Sequence, residues 1–339
     1  MDLKIKEFEK FSRNSWNDLL LHLEGHSHLC TWNDLCYYSA FSKTKNLSFA
    51  VFNENKIVAL VPMAKCNLNK KITFSFGNNN VFSPIFSSKI SPSLRKKIYS
   101  FIFDYLKKKN KLKKIDLTFQ VSPFFFTKEN LEISSKNQFE ILSFSKDYIV
   151  HNTLVVDLLK DESLLLNNMS KYHRRNIKKT SKLNNLKVEI INYRYSKKII
   201  DKKFWEFRKF HIISAGRITR PKKTWDLMLK KIYDNEAELF ILNFEENSVS
   251  FLFCARYKTL AWGWSQVNFK KYEYISPRHF LEWNAIQYYK KNNLKYYEIG
   301  ERYYKQKKFS PTEKELTISE FKEKYGSDKY PKAYFRVYI

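Results

Sequence analysis

One stretch occurs twice in this chain, and it limits the fold more than any other feature. SPSLRKKIYSFIFDYLKKKNKLKKIDL, from Ser91, lies against SPRHFLEWNAIQYYKKNNLKYYEIG, from Ser276. Each opens on Ser-Pro, where a serine hydroxyl takes an orphan amide as N-cap and proline fills the first helical position without a donor to waste. In the second copy Leu281, Ala285, Tyr288 and Tyr289 share one helical face, and Trp283 and Ile286 widen it. Lys290 and Lys291 suit the C-terminal end of the helix dipole. Leu294 to Ile299 then alternates as a strand that Gly300 is expected to break. An acidic residue, Asp116 or Glu298, sits in the strand of each copy.

The surroundings repeat in the same order. In the first half, helices are predicted over Trp16 to His22, behind the cap candidates Asn14 and Ser15, and over Trp32 to Phe41 behind Thr31. A hairpin of Leu47 to Phe52 and Lys56 to Val61 follows, then a strand at Ile72 to Phe76, the Ser91 helix and a strand at Ile115 to Phe119. After a strand near Tyr148 to Leu158, the second half offers helices at Tyr172 to Leu183, Lys202 to Ile213 and Lys222 to Tyr233. The hairpin ELFILNFEENSVSFLFCARY, a strand at Thr259 to Gln266 and the Ser276 unit complete it. This order implies an α/β (α+β) chain of two similar domains, 1–158 and 159–339, each a central mixed sheet flanked by helices. The competing arrangement is one large α/β domain.

At 339 residues, 43% hydrophobic and 17% aromatic, the chain can bury two cores and is not disordered. Its net charge of +28 comes from many lysines beside abundant Asn, Ile, Phe and Tyr, a mixture that an AT-rich genome would also force. The charge permits polyanion partners without demanding one, and no DNA partner is expected. Cys30, Cys36, Cys66 and Cys254 lack zinc spacing or a disulfide framework, so no metal site is expected. The start, MDLKIKEFEKF, is charged where a signal peptide needs an apolar run, and the cytoplasm is the expected compartment.

Helix starts carry free amides that suit a phosphate or an oxyanion. Around the Ser276 start, polar groups crowd the predicted strand ends, where open sheets place ligands: Arg256, Trp262, Trp264, Gln266, Asn268, Arg278, His279, Glu298, Glu301 and Arg302. MSKYHRRNIKKTSKLNN, from Met169, is a basic helix whose Arg174 and Arg175 could clamp phosphate or simply face solvent. His173, His211 and His279 are candidate bases, although single histidines more often serve packing. With 6 glycines in all, the chain has no P-loop, dinucleotide fingerprint or nucleophile elbow.

The second half resembles the Fem-type peptidoglycan-bridge aminoacyltransferases and their relatives, which carry tandem GNAT-like N-acyltransferase domains. LLLNNMSKYHRRNIKKTSKLNNLKVEII is similar to their R-x-x-I-x-K-like basic helix and strand. SPRHFLEWNAIQYYKKNNLKYYEIGE is similar to their Ser-Pro helix and Y-[DE]-x-G strand. ISEFKEKYG is similar to their I-x-x-F-K-x-x-F-G close, with Tyr325 for the last Phe. The likeness covers most of Glu162 to Gly326, and the N-terminal half matches in layout alone.

The resemblance implies transfer of an aminoacyl group from charged tRNA, or of an acyl group from acyl-CoA, to an amine of a cell-envelope precursor. These donors are co-substrates; no tightly bound cofactor is implied. Lys322 matches the F-K lysine and is the candidate for stabilising the oxyanion; Glu298 would orient the acceptor amine or act as base, with His279 as the third catalytic candidate. Arg174, Arg175, Trp262, Trp264, Gln266, Asn268, Ser276, Arg278, Glu301 and Tyr303 are the candidate substrate-binding residues. RYYKQKKFSPTEKELT, after Glu301, is expected as a long loop governing substrate choice. Two departures stand out: the helical-hairpin insertion of many tRNA-dependent members and the R/Q-x-x-G-x-G/A pyrophosphate loop of acetyl-CoA enzymes are both missing.

The expectation is therefore a bacterial cytoplasmic transferase of cell-envelope biogenesis, working on a precursor that carries a nucleotide or phosphate, with peripheral contact at the anionic inner membrane face. The alternatives are acyl-CoA-dependent N-acetylation of an amino sugar for a surface glycan, and a non-catalytic basic module binding RNA or a membrane surface.

Overall fold

The computed structural model describes residues 2–23, 27–68, 71–77, 80–126, 131–133, 139–306 and 309–339. Contacts divide the chain into two compact units, Met1–His151 with Gln306–Phe309 and Pro331–Ile339, and Asn152–Lys305 with Ser310–Tyr330. The linear division expected at 158/159 does not contain these returns of the chain to the first unit.

In the first unit, strands Leu3–Glu7, Phe49–Asn53, Lys56–Val61 and Ile85–Phe86 form one antiparallel sheet in that order. Asp116–Val121 pairs in parallel with Val81–Phe82 and antiparallel with residues 333–338 of the C-terminal strand. Helices Arg13–His22, Trp32–Phe41 and Pro92–Asn110 supply the packing surface. Trp16, Phe49, Leu60, Tyr99, Phe103 and Phe119 are fully buried in its core. The helix starts follow local chemistry: Thr31 takes the Asp34 amide and Ser91 the Leu94 amide, while Ser12, rather than Asn14 or Ser15, caps the first helix in a reciprocal box with Ser15.

The second unit begins in strand β1 (Ser145–Asp157) and continues through helices α1 (Glu162–Asn168) and α2 (Lys171–Thr180) to strand β2 (Leu186–Ile191). Helices α3 (Lys197–Ala215) and α4 (Lys222–Tyr233) precede strands β3 (Ala237–Phe244), β4 (Asn247–Tyr257) and β5 (Leu260–Asn268). Helix α5 (Pro277–Lys291), strand β6 (Tyr296–Arg302) and helix α6 (Glu313–Glu323) close it. The sheet order is β2-β3-β4-β5-β6-β1, antiparallel except for β5 and β6. Phe204, Phe207 and Trp225 of α3 and α4 pack on one face, against Phe251 and Phe253 of β4. Leu281, Ala285, Ile286 and Tyr289 of α5 pack on the other with Ile177 of α2. The result is a mixed sheet with helices on both faces, as the apolar patterning predicts.

Three local expectations are corrected. Ser276 does not cap α5 with its hydroxyl: the turn Lys270–Ile275 runs straight into the helix and puts Ser276 in the left-handed region, φ 55 and ψ 46, with no side-chain cap bond. Its carbonyl instead accepts the His279 amide at 3.2 Å. Gly300 does not end its strand, because β6 bulges there and continues to Arg302. The stretch after Glu301 is not all loop: Thr312 and Glu315 form a capping box that starts α6. Residues 307 and 308 of that stretch lie outside the described residues.

Candidate active site

The parallel strands β5 and β6 part company. Leu260, Ala261 and Trp262 pair with Tyr296, Tyr297 and Glu298, where the ladder stops although β5 runs on to Asn268 and β6 to Arg302. Each strand is bulged just past this point. Cys254 faces Gly263 but Phe253 faces Ser265, leaving Trp264 as the extra residue of β5. Val155 faces Glu298 but Leu154 faces Gly300, leaving Ile299 as the extra residue of β6. A bulge bends its strand and sharpens its twist, so two adjacent bulges open a cleft between neighbours that would otherwise be hydrogen-bonded.

Lys322 of α6 reaches this cleft. It presses so closely on Gly300 that a Cβ there would strike its Nζ and lie 3.3 Å from both Cδ and Cε. Gly300 also has φ +135, which side-chain-bearing residues rarely adopt. Burial, then the nearby Arg278 guanidinium, pull the Lys322 ammonium below the ordinary lysine range, while Glu282, Glu301 and Glu298 oppose the shift. Arg302 ties β6 to α6 beside it, donating to Glu323 at 2.6 Å, to Ser319 at 3.2 Å and to the Tyr303 carbonyl at 2.7 Å.

Glu298 is half-buried on β6, and Thr153 of β1 donates to its Oε1 at 2.6 Å. Glu301 and Tyr303 are half-buried further along. Arg278 stacks its guanidinium 4.2 Å from the Phe321 ring, one residue before Lys322. Its buried Nε has no hydrogen-bond partner among the described residues. Four of the sequence candidates, Lys322, Glu298, Glu301 and Arg278, thus converge.

Other candidates serve different places. His279 is buried edge-on to His173 at 4.7 Å, within a box completed by Tyr172, Phe321 and Tyr325. Burial first, then Arg278, lower its pKa to about 4; burial and His279 lower that of His173 to about 3. Both are neutral packing groups at neutral pH. Arg174 donates to the carbonyl of Asn167 at 2.7 Å and to that of Met169, closing the end of α1, whereas Arg175 is exposed, 5.9 Å from the Tyr172 ring. Arg256 pairs with the buried Glu238 at 3.0 Å and faces Ala261 near the start of β5, away from the cleft.

Along β5, Trp262 is buried and Trp264 lies 6.2 Å from it, with the Lys231 ammonium 5.7 Å from the Trp264 ring. Gln266 keeps a buried Nε2 without a hydrogen-bond partner among the described residues, and Asn268 accepts from Ser250 at 2.6 Å. Among the described residues no group of three His, Cys, Asp or Glu is placed to hold a metal ion.

Sequence reasoning missed Glu282. It is buried on α5, and Tyr297 Oη donates to its Oε1 at 2.7 Å. The signal was an acid one helical turn after Arg278, on the face formed by Leu281, Ala285 and Ile286.

No sequence-family profile matches the chain, and no curated protein sequence does. Solved structures do. A crystal structure of FemX aligns with TM-score 0.63 and 12% identity over 98% of this chain and 97% of its own. A tandem GNAT protein of clavulanic acid biosynthesis aligns with TM-score 0.56 and 9% identity, covering 100% and 98%. The chain has the tandem GNAT-like fold. A third structure with this fold is the C-terminal domain of an Agrobacterium fabrum protein assigned as a lysylphosphatidylglycerol synthetase, at TM-score 0.59 and 12% identity over 95% and 89%. Within the tandem GNAT-like fold of this chain, the parting strands and Lys322 belong to the second domain.

Proposed function

We propose that the second unit transfers an acyl or aminoacyl group from an activated ester or thioester to an amine of a cell-envelope precursor, in the cleft between β5 and β6. The observation that carries this reading is the buried Lys322 packed against Gly300, within electrostatic reach of Arg278, Glu282, Glu301 and Glu298.

The chemistry asks for three things. The acceptor amine must lose a proton before it attacks; the tetrahedral oxygen that then carries negative charge needs a donor; and the leaving alcohol or thiol must gain a proton. In this reading Glu298, which accepts a hydrogen bond from Thr153, takes the amine proton, and Lys322 donates to the oxyanion. A carbon–nitrogen bond forms and the carbon–oxygen or carbon–sulfur bond of the donor breaks, releasing the alcohol or thiol. Trp262, Trp264 and Gln266 offer the wall along β5, and Glu301 and Tyr303 the wall along β6.

The fold supports acyl transfer as the reaction type, being shared with a lysylphosphatidylglycerol synthetase domain and with a tandem GNAT protein described in a form without acetyl-CoA. Acyl-CoA and aminoacyl-tRNA are the two donors we propose, as co-substrates. The net charge of +28 and the exposed Arg175 suit a phosphate-bearing acceptor and contact with an anionic membrane at the cytoplasmic face. Among the described residues no helix is long and apolar enough to cross a membrane.

The test is amide formation followed by mass spectrometry. Acetyl-CoA and a pool of charged tRNA are each supplied with amine-bearing uridine-diphosphate sugars and peptidoglycan precursors. One donor–acceptor pair is expected to give the amide. A protein that binds RNA or anionic vesicles yet forms no amide with any pair contradicts the proposal.

A further inference from the structure

Arg256 stands at the end of the sheet opposite the cleft, in a place that the transfer chemistry does not use. Strand β2 stops at Ile191, paired with Leu239, so the start of β3 at Ala237 and the end of β4 at Tyr257 run on beyond it. The segment after β2 and the C-terminal end of α5 close round that edge and leave a cavity of about 340 Å³, at the small end of the range for ligand sites. Asn192, Arg194, Asn235, Arg256, Tyr288 and Asn292 line it beside the buried Glu238.

The cavity has a fixed floor. Glu238 is 2% exposed and both its oxygens are occupied: Tyr289 Oη donates to Oε2 at 2.7 Å, and Arg256 Nε lies 3.0 Å from Oε1. Arg256 Nη2 also donates to Asn235 Oδ1, and the Arg256 amide donates to the Glu236 carbonyl at 2.8 Å. The guanidinium is therefore held at two nitrogens, with three of its five N–H groups left over.

The balance of donors and acceptors sets what the cavity can take. Most of its accepting oxygens are used by the protein: both of Glu238, Asn235 Oδ1, and Asn192 Oδ1, which takes the Arg194 amide at 3.1 Å. Asn292 is turned the other way, its Nδ2 donating to the Tyr288 carbonyl at 2.7 Å and its Oδ1 left to accept. On offer are the remaining N–H groups of Arg256, the Arg194 guanidinium at the rim, Asn235 Nδ2 and the Tyr288 hydroxyl. A donor-rich, cationic lining calls for an oxyanion, and Asn292 Oδ1 suits a ligand hydroxyl. The end of α5 does not oppose this, since the carbonyls of Tyr288, Lys290 and Tyr289 already accept from Asn292, Asn293 and Leu294 at 3.0 Å each. Of the chain's 62 basic residues only 12 are arginine, yet among the described residues both cations lining this cavity are arginine, whose planar fork fits a carboxylate or phosphate.

We propose that this cavity binds a small hydroxylated oxyanion, a sugar phosphate or a hydroxy acid, whose phosphate or carboxylate sits on Arg256 and Arg194 and one of whose hydroxyls donates to Asn292. The site is separate from the β5–β6 cleft and does not depend on Lys322 being an oxyanion donor.

The test is isothermal titration of the full-length protein with glucose 6-phosphate and with citrate, in about 150 mM sodium chloride to screen diffuse attraction. At least one of the two is expected to bind at one molecule per chain with a Kd of about 1 mM or tighter, and the tighter of them names the anionic group. Arg256→Gln should weaken that binding at least about tenfold, the loss expected for one charge-assisted hydrogen bond. Lys202→Gln, exposed on α3, should leave it within about twofold. If Arg256→Gln does not fold because Glu238 has lost its countercharge, Asn235→Gly serves instead: it removes one anchor of Arg256, keeps the left-handed backbone at φ 60, and should weaken binding at least about threefold. A Kd weaker than about 1 mM for both probes, or a smaller loss than these in the folded cavity variants, overturns the proposal. An equal loss in Lys202→Gln overturns it too, since the probe would then be held by the general +28 charge.

Discussion

Gly300 and Lys322 occupy space that a single methyl group would close: a Cβ at Gly300 collides with the lysine Nζ. The glycine is thus tied to the site in two ways, through the room it leaves for the lysine and through a φ of +135 at the bulge of β6, just past the last residue paired with β5. Gly300→Ala should destabilise the protein by about 1 kcal/mol or more and displace Lys322. Urea unfolding of Gly300→Ala, Lys322→Ala and the double variant checks this. The double variant should be less destabilised than the sum of the two, because the clash exists only while both side chains are present.

The charge on Lys322 gives a pH dependence with a definite sign. Its folded pKa lies below the ordinary 10.5, so transfer by the proposed route, in which Lys322 donates as the ammonium, should decline as pH rises through that lowered value. Stability moves the other way. Between the folded value and 10.5 the unfolded chain binds the additional proton, and stability attributable to this group rises with pH. Comparing wild type with Lys322→Met by urea titration across the alkaline range should show that contribution disappear.

His173 and His279 predict acid sensitivity. Their pKa values fall to about 3 and about 4 from the usual 6.5, burial being the main cause in each. Above 6.5 both states are neutral. Below it the unfolded chain takes up protons that the folded chain refuses, and stability is lost progressively down to about pH 3. Replacing both with glutamine should flatten the dependence of the urea midpoint between pH 6.5 and 4.

The two adjacent arginines should separate. Arg174 bonds two carbonyls at the end of α1, so Arg174→Ala should lower stability by about 1 to 3 kcal/mol with little effect on phosphate affinity. Arg175, exposed on the same helix, should show the reverse pattern. Thermal unfolding combined with binding of a uridine-diphosphate sugar distinguishes them.

Much of this architecture is legible in the sequence because local rules decide it. Thr31 and Ser91 cap the helices they were expected to cap, α4 spans Lys222–Tyr233 as its periodicity predicts, and both Ser-Pro helices lead into strands. What escaped depends on contacts distant in sequence. Ser276 is a cap by residue type, but the preceding turn rotates its hydroxyl away. Gly300 looks like a strand stop, and only the neighbouring strand and Lys322 show that it is a bend. Helix α6 was hidden in a polar, aromatic stretch whose Thr312–Glu315 box was overlooked. Of the site, the motif residues Lys322 and Glu298 were readable and are brought together; His279 was drawn into packing by the aromatic box around it. Glu282 went unnoticed because a charged residue on an apolar face is visible only once its partner, Tyr297, is known.

The central claim, that the β5–β6 cleft with Lys322 carries acyl transfer, is tested most directly by the single-turnover rate of amide formation in Lys322→Ala with a saturating donor–acceptor pair. Loss of a charged oxyanion donor predicts a fall of roughly 100-fold to 1000-fold with the fold unchanged by circular dichroism. A rate within about threefold of wild type would contradict the claim, since an oxyanion donor is worth far more than that.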